Sequence, residues 1–300
     1  MTLRQRAFLG LQHLLPKTLL TRLAGAFARR RIPLLTPWVM RTFIRAYGVN
    51  MEEAAQPDPA AYPTFNAFFT RPLHSAARPL APPPALLCPC DGAVSEAGAL
   101  DGDRLLQAKG VTYTTAQLLG DASLAESFRG GSFATLYLAP RDYHRVHMPA
   151  DGVLESMTYL PGGLYSVNPA TAAARPGLFA RNERVVTTFL GAGDRFAVVL
   201  VGAMIVGGIR TPWAGRVTPR SAESWRMRAD TPLLYARGSE MGTFELGSTV
   251  ILLFPQGRAR LDDALIPGRK VRMGEAIGEV YEADSGQQCP ESDPPKSEGG

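Results

Sequence analysis

Cysteine is scarce in this chain of 300 residues, and its scarcity excludes a scaffold stabilised by disulfides. The cysteines are Cys88, Cys90 and Cys289, an odd count that is typical of a reducing compartment. Cys88 and Cys90 are too close together for a Cys-x-x-Cys redox motif, and no second pair completes a zinc site. We therefore interpret both as structural residues.

Long hydrophobic runs are also missing, because no run reaches the roughly 18 apolar residues of a membrane-spanning helix. The longest, at 196–209, is bounded by Arg195 and Arg210 and is rich in valine, isoleucine and glycine. That composition predicts a buried strand with a turn. The N-terminus begins like a signal peptide, but polar residues and a proline interrupt its apolar segment between positions 12 and 17. We therefore expect an intracellular protein without a spanning helix.

Acidic residues are absent from the first 50 positions, which contain nine arginines and lysines. Such a basic end predicts an anionic partner. Apolar residues recur there at helical spacing, and the helices mix basic residues with large side chains such as Trp38 and Phe43, as helices in a membrane interface do. Packing of the same apolar faces on the rest of the protein is an equally good interpretation. The high apolar content argues against nucleic acid as the partner.

Turn signals dominate the chain after two proline-rich segments at 53–63 and 78–84. Asp-Gly and Ala-Gly pairs followed by small or β-branched residues recur, as hairpins require. The predicted fold class is α+β, with N-terminal amphipathic helices followed by a β-rich domain of packed antiparallel sheets. A polar C-terminus rich in proline, glycine and serine predicts disorder. We place the helical region at 1–60, the β-rich domain at 61–283 and the disordered tail at 284–300.

Histidine is rare as well, and two of the four histidines, His144 and His147, lie in the segment "PRDYHRVHMP". Histidine suits proton transfer near neutral pH. The pair could also bind zinc if the segment were helical, but no glutamate completes an H-E-x-x-H motif. Asp91 precedes a glycine in "CPCDGAV", where a turn is the simplest interpretation. Its other interpretation is a carboxylate that orients a histidine.

The segment "GTFELGSTVILLFP" places Ser248 just before an apolar run at 250–254 that predicts a buried strand. Ser248 is either the start of that strand or a nucleophile held beside the core. The order Asp91, His147, Ser248 is allowed for a catalytic triad, since triads recur in different orders on different folds. The G-x-S-x-G elbow of many serine hydrolases is absent, however, so the pattern alone leaves both interpretations open.

Three segments, "LGST", "PRDYHRVHMP" and "LFARNERV", occur together with "TFNAFFTRPL", "LQAKG" and "VGAMIVG". In this combination the chain resembles the phosphatidylserine decarboxylase family of the bacterial type. The resemblance extends from about Tyr62 to Phe254 and is weaker in the N-terminal helices. It implies an inactive proenzyme that cuts itself between Gly247 and Ser248. Ser248 would then become a covalent pyruvoyl cofactor, without a metal, in a heterodimer of a β subunit (1–247) and an α subunit (248–300).

The resemblance also implies the roles of single residues. Asp91, His147 and Ser248 would form a charge relay for self-cleavage, and His144 would transfer a proton during decarboxylation. The pyruvoyl group from Ser248 would form a Schiff base with phosphatidylserine, and phosphatidylethanolamine would be released. We expect a peripheral enzyme on the cytoplasmic face of the cell membrane, with further dimerisation left open. The alternatives are a Ser-His-Asp hydrolase that acts on a membrane lipid without cutting itself, and a membrane-bound binding module.

Overall fold

A computed structural model of the chain describes residues 17–108, 110–191, 194–203, 208–218, 223–245 and 248–281. Within these ranges, helices occur in the N-terminal region and in short connections. They are α1 (Lys17–Ala28), α2 (Leu35–Tyr47), α3 (Phe65–Phe69), α4 (Thr115–Leu119), α5 (Ala122–Glu126), α6 (Pro169–Ala172) and α7 (Leu178–Arg181), with one 3-10 turn at Pro59–Ala61.

The first three helices share one hydrophobic cluster, in which aromatic side chains join α2 to α3 and Ala28 represents α1. Thr64 begins α3 by accepting a hydrogen bond from the amide of Ala67, which satisfies one of the free donors at the helix start. Phe65 and Phe68 are buried there, and Phe43 of α2 meets both rings edge-on. α2 ends at Gly48, which adopts φ 66° and donates its amide to the carbonyl of Ile44, a conformation that glycine adopts without strain.

Strands make up most of the rest of the chain. They are β1 (Ala85–Leu87), β2 (Gly92–Ala99), β3 (Arg104–Ala108), β4 (Val111–Thr114), β5 (Ser132–Leu138), β6 (Arg145–His147), β7 (Gly152–Leu160), β8 (Arg184–Gly191), β9 (Asp194–Val201), β10 (Ile209–Thr211), β11 (Gly215–Arg216), β12 (Trp225–Arg228), β13 (Leu234–Tyr235), β14 (Glu240–Phe244), β15 (Ser248–Phe254), β16 (Ala259–Leu261), β17 (Lys270–Val271) and β18 (Ala276–Val280).

One large antiparallel sheet organises the domain in the order β12-β7-β8-β9-β15-β5-β2-β17, with β13 added beside β7. Smaller sheets have the orders β11-β10-β14-β6 and β1-β18-β16, and β3 pairs with β4. β15 is central, because it pairs with β9 on one side and with β5 on the other. The residue that begins β15 therefore lies inside the protein.

Hydrophobic clusters cover both faces of the large sheet. Val250 and Leu252 of β15 belong to one cluster, and Ile251 and Leu253 belong to the other, since successive side chains of a strand point to opposite faces. A strand that is covered on both faces needs apolar residues at every position. This requirement explains why β15 reads as a continuous apolar run rather than as an alternating one.

The structure confirms the predicted α+β fold with antiparallel sheets. Among the described residues, no helix is both long and apolar enough to cross a membrane. β9 accounts for the first part of the longest apolar run, whereas 204–207 lie outside the described residues. The boundaries at 60 and 283 remain predictions, and 1–16 and the tail at 284–300 lie outside the described residues.

The two described cysteines are buried and free. Burial raises the pKa of the Cys88 thiol to about 12, and burial raises the pKa of Cys90 as well. Both thiols therefore stay protonated and unreactive at neutral pH, as expected of structural residues. Cys289 lies outside the described residues.

Candidate active site

Ser248 is the first residue of β15, and its side chain is completely buried. It faces Leu138 of β5 in the antiparallel register. Its hydroxyl oxygen has no hydrogen-bond partner among the described residues. A buried polar group without a partner costs about 1–3 kcal/mol, so its presence calls for a functional reason. Gly247, the other half of the predicted cleavage junction, lies outside the described residues.

His144 is also completely buried, and its ring stacks on Phe69 with 4.1 Å between the ring centroids. Its Nε2 donates a hydrogen bond of 3.1 Å to the carbonyl of Ala139. Nδ1 is then the acceptor nitrogen, and it has no partner among the described residues. Burial, together with the positive charge of Arg71, lowers the pKa of His144 to about 3. The imidazole is therefore neutral at physiological pH.

The strand register brings Ser248 and His144 to the same end of β5. Ser248 pairs with Leu138, and the next residue, Ala139, supplies the carbonyl that holds His144. The amide of Phe244, at the end of β14, donates to the carbonyl of His144. The hydroxyl of Ser248 can donate a hydrogen bond and the free Nδ1 of His144 can accept one. The two buried atoms without partners are thus chemically complementary.

His147 ends β6 and is held by two hydrogen bonds. Its Nδ1 donates to the carbonyl of Gly238 at 2.8 Å, and the Tyr143 hydroxyl donates to Nε2 at 3.1 Å. Burial lowers the pKa of His147, so this imidazole is neutral as well. Nε2 therefore carries the lone pair that a general base needs. In this arrangement, Tyr143 occupies that lone pair.

The backbone near Asp91 is hydrogen-bonded to that of His147. The amide of His147 donates to the carbonyl of Pro89, two residues before Asp91. Its carboxylate, however, accepts hydrogen bonds from Arg78, at 2.9 Å from Nε, and from the amide of Met273 at 2.9 Å. Among the described contacts, no hydrogen bond joins Asp91 to His147. Asp91 acts on His147 through its negative charge, which opposes the effect of burial on the pKa of His147.

A buried ion pair holds the chain just before Ser248. Glu245 is 2% exposed, and its Oε2 lies 3.3 Å from Arg29 and 3.1 Å from Arg216. Arg29 follows α1, so the N-terminal helices are tied directly to the segment that enters the predicted cleavage junction. A buried carboxylate with two guanidinium partners resists displacement, because removal of the partners would leave its charge uncompensated.

The structure thus brings Ser248 and both histidines into one region and places Asp91 at its edge. The sequence did not identify Arg78, Tyr143 or Gly238. Tyr143 lies within the segment that contains both histidines, which is a signal that could have been used. Gly238 contributes only its carbonyl, and Arg78 lies in a proline-rich connector, so neither gives a local signal. Among the described residues, no cluster of three or more histidine, cysteine or acidic side chains could hold a metal ion.

The arrangement is that of an enzyme built around a buried serine and two neutral histidines. A family model described as phosphatidylserine decarboxylase matches residues 65–279, and a second model, described as PSD, matches residues 7–48. The chain belongs to the phosphatidylserine decarboxylase family and is an enzyme of that family. The predicted family is therefore confirmed.

Full-length relatives lead to the same family. A phosphatidylserine decarboxylase proenzyme from Methylibium petroleiphilum is 54% identical over 271 residues, which cover 89% of this chain and 95% of the relative. The proteins of that name from Polaromonas naphthalenivorans and Bordetella petrii are 51% and 50% identical. The matches cover 91% and 92% of this chain and 96% and 98% of the two relatives.

Proposed function

We propose that this protein is a proenzyme that cuts itself before Ser248 and then decarboxylates phosphatidylserine to phosphatidylethanolamine. The observation that carries the proposal is the Ser248 hydroxyl, fully buried and without a partner at the start of the central strand. A hydroxyl in this position does not stabilise the fold, but it adjoins the peptide bond that would be cut. The name proenzyme, which the relatives carry, supports the same proposal.

Self-cleavage needs only the chain and one water molecule. The Ser248 oxygen attacks the carbonyl carbon of Gly247, its proton is transferred through a base to the departing amide nitrogen, and an ester replaces the peptide bond. Removal of the α-proton of residue 248 then expels the Gly247 carboxylate and leaves dehydroalanine. Water adds to the tautomeric imine and ammonia leaves, which gives the pyruvoyl group. The β subunit (1–247) and the α subunit (248–300) remain paired through β15.

The surroundings of Ser248 fit the pyruvoyl group. Loss of the serine hydroxyl breaks no hydrogen bond among the described residues, and the site is closed to solvent. When present, the group supplies an electron-withdrawing carbonyl that accepts the charge released as carbon dioxide leaves. His144 is the residue to which we assign proton return at the substrate carbon. Its neutral form leaves Nδ1 available to accept a hydrogen bond before substrate binds, because no other described residue occupies it.

Two histidines compete for the role of base in self-cleavage. The predicted relay uses Nε2 of His147, where the hydrogen bond from Tyr143 must break or pass the proton on. Nδ1 of His144 has no such competitor in the part of the chain that the structure describes. We propose that His147 serves in cleavage, with Asp91 stabilising the imidazolium by its charge, and that His144 serves in decarboxylation.

Glutamine substitutions separate these roles. We expect His147→Gln to slow cleavage by about 10²- to 10⁴-fold, the usual contribution of a general base. His144→Gln should leave cleavage nearly unchanged and reduce decarboxylation by a similar factor. Cleavage is followed by intact mass after synthesis, and decarboxylation by release of carbon dioxide. If His144→Gln were the variant that stops cleavage, the free Nδ1 of His144 would be the base instead.

An exposed apolar surface on α1, α2 and their connection supports a peripheral position at a membrane, and we propose the cytoplasmic face of the cell membrane. Leu34 is 87% exposed, Trp38 59% and Leu23 58%. Arg31 and Arg41 are exposed on the same segment. Apolar side chains that enter the interface, together with arginines that attract anionic lipids, are the features of an interfacial helix.

Charged substitutions test this membrane contact. We expect the double variant Leu34→Glu, Trp38→Glu to bind phosphatidylglycerol-containing vesicles at least about tenfold more weakly, because burial of each side chain contributes about 1.5–3 kcal/mol. Binding is measured by vesicle flotation. Leu234→Glu is the matched control, since Leu234 is 73% exposed but lies on β13. Equal binding by both variants would show that the helices only pack on the domain.

Intact masses and product analysis of the purified chain test the function as a whole. We expect two fragments, of which the smaller lacks one ammonia relative to a fragment that begins with serine, and conversion of phosphatidylserine to phosphatidylethanolamine. A folded, vesicle-bound chain that stays whole and releases fatty acids instead would favour the hydrolase alternative. A chain that stays whole and converts no lipid would contradict both activities.

A further inference from the structure

A basic pocket of about 250 Å³ lies beside the site. Asp91 and Tyr143, already described as neighbours of His147, contribute to its wall. Five basic and three acidic side chains line it, so its walls carry a positive excess. Such a pocket favours an anionic ligand, because its walls exclude part of the water that would screen the charges.

The carboxylates of the pocket already have partners. Arg78 binds both Glu53 and Asp91. The third carboxylate, Asp142, lies 3.8 Å from Arg141. Among the described residues, Arg71 and Lys270 of the pocket have no ion-pair partner. The positive excess is therefore concentrated on these two residues.

Arg71 is the more unusual of the two, because it is only 3% exposed. Its Nε is buried without a hydrogen-bond partner, and Nη2 makes only a long contact of 3.5 Å to the carbonyl of Arg141. The guanidinium lies over the ring of Phe68 at 5.5 Å from the ring centroid. This contact offsets only a small part of the free energy that burial of the charge requires. Burial lowers the pKa of Arg71, in keeping with a charge that lacks a counter-ion. A buried charge of this kind is expensive unless an anion pairs with it.

The pocket is within reach of Ser248. Gly92 lines the pocket and begins β2, which pairs with β5, and β5 pairs with β15. A Cβ on Gly92 would lie 3.6 Å from the Cα of Leu138, the residue that Ser248 faces. Ser248 and the pocket edge are therefore two strand spacings apart, about 10 Å from backbone to backbone. An anionic group only a few bonds from a reacting atom at Ser248 can enter such a pocket.

We propose that this pocket binds the phosphodiester of the lipid headgroup, with its oxygens on Arg71 and Lys270. The inference rests on the proposed function. The headgroup offers two anions, a carboxylate and a phosphate. A cation on the carboxylate would stabilise the ground state that decarboxylation must leave, and the interaction would be lost as carbon dioxide departs. The phosphodiester keeps its charge throughout the reaction, so its binding orients the substrate without opposing the chemistry.

Occupation of the pocket has a consequence for His144. Burial is the main cause of the low pKa of His144, and the charge of Arg71 lowers that pKa further. A phosphodiester beside Arg71 offsets that charge, so His144 takes up a proton more readily when substrate is bound. The same contact would thus hold the substrate and prepare His144 to return a proton.

Direct binding to a chain that cannot react tests the pocket. Full-length Ser248→Ala protein is titrated calorimetrically with glycerophosphoserine and, separately, with inorganic phosphate. We expect glycerophosphoserine to bind, Arg71→Gln to weaken binding by about 10-fold or more, and Lys270→Gln to weaken it by about 3-fold. Lys270 is exposed, so its variant keeps the test valid if Arg71→Gln fails to fold. Arg260→Gln removes an exposed charge of equal sign from β16 and should bind normally.

Each outcome has one meaning. Binding of inorganic phosphate without glycerophosphoserine would assign the pocket to a free anion and overturn the headgroup proposal. Absence of glycerophosphoserine binding would overturn it as well. So would equal binding by the Lys270→Gln variant, the Arg260→Gln variant and the Ser248→Ala protein without a second substitution. If Ser248→Ala binds glycerophosphoserine through Arg71 and Lys270 while the wild-type chain neither cuts itself nor decarboxylates, the pocket assignment stands and the proposed function fails.

Discussion

Ser248→Ala is expected to remain a single chain of 300 residues and to lose decarboxylase activity by at least about a thousandfold. The substitution removes the only atom that can attack the Gly247 carbonyl in the proposed reaction and also removes the source of the pyruvoyl group. The variant should fold as well as wild type, because the lost hydroxyl makes no hydrogen bond among the described residues. Intact mass and product analysis give the two measurements.

The adjacent residue provides a matched control for this variant. Thr249 is fully buried on the opposite face of the same strand, and its hydroxyl also lacks a partner among the described residues. Thr249→Val removes that hydroxyl at nearly constant volume, and we expect normal cleavage. Cleavage of Ser248→Ala at the same junction would refute Ser248 as the nucleophile. Loss of cleavage in both variants would point to a general effect on the strand.

Asp91→Ala is expected to destabilise the chain by about 3 kcal/mol, the lower end of the cost of breaking a buried ion pair, because Arg78 keeps Glu53 as a second partner. Asp91 and Arg78 are each 8% exposed, and two nitrogens of Arg78 contact the Asp91 carboxylate. The amide of Met273 would lose its acceptor as well. Equilibrium unfolding in urea measures the loss, with the purified, uncleaved Ser248→Ala chain as background so that cleavage does not complicate the comparison.

Glu53→Ala serves as the comparison, because Glu53 contacts the same arginine from a more exposed position. We expect a loss of about 1 kcal/mol or less for this variant. A similar small loss for Asp91→Ala would show that Arg78 does not depend on Asp91.

In the wild-type background, the Asp91→Asn variant should cut itself more slowly than normal, since Asp91 affects His147 through its charge. Normal cleavage by Asp91→Asn would remove Asp91 from the relay.

Local patterns in the sequence were sufficient to predict the central strand and to select the two histidines as candidates. The apolar run after Ser248 is dictated by burial on both sheet faces, and the spacing of His144 and His147 is visible in one short segment. The contacts that define their protonation are not local. Gly238 fixes the tautomer of His147 from 91 positions away, through a backbone carbonyl that any residue could provide.

Asp91 illustrates the same limit. Its residue type and its place before a glycine were compatible with a turn or with a role beside a histidine. The structure shows that its carboxylate is held by Arg78, which the sequence placed in an ordinary proline-rich connector. Similarly, the basic pocket combines residues from the segment after α3, from β17 and from the loop before β6. Such sets become visible only when the strand order is known, because register and topology decide which distant residues meet.

The central position of β15 would have a consequence for a chain that is cut before Ser248. The strand is hydrogen-bonded on both sides and buried on both faces. A cut at residue 247 would therefore yield two polypeptides that cannot exchange partners without dismantling the sheet. Before the cut, folding is unimolecular; afterwards, reassembly would depend on concentration and on two chains that each expose apolar strands. Maturation would thus make folding a one-way event, and each molecule would work until it first unfolds.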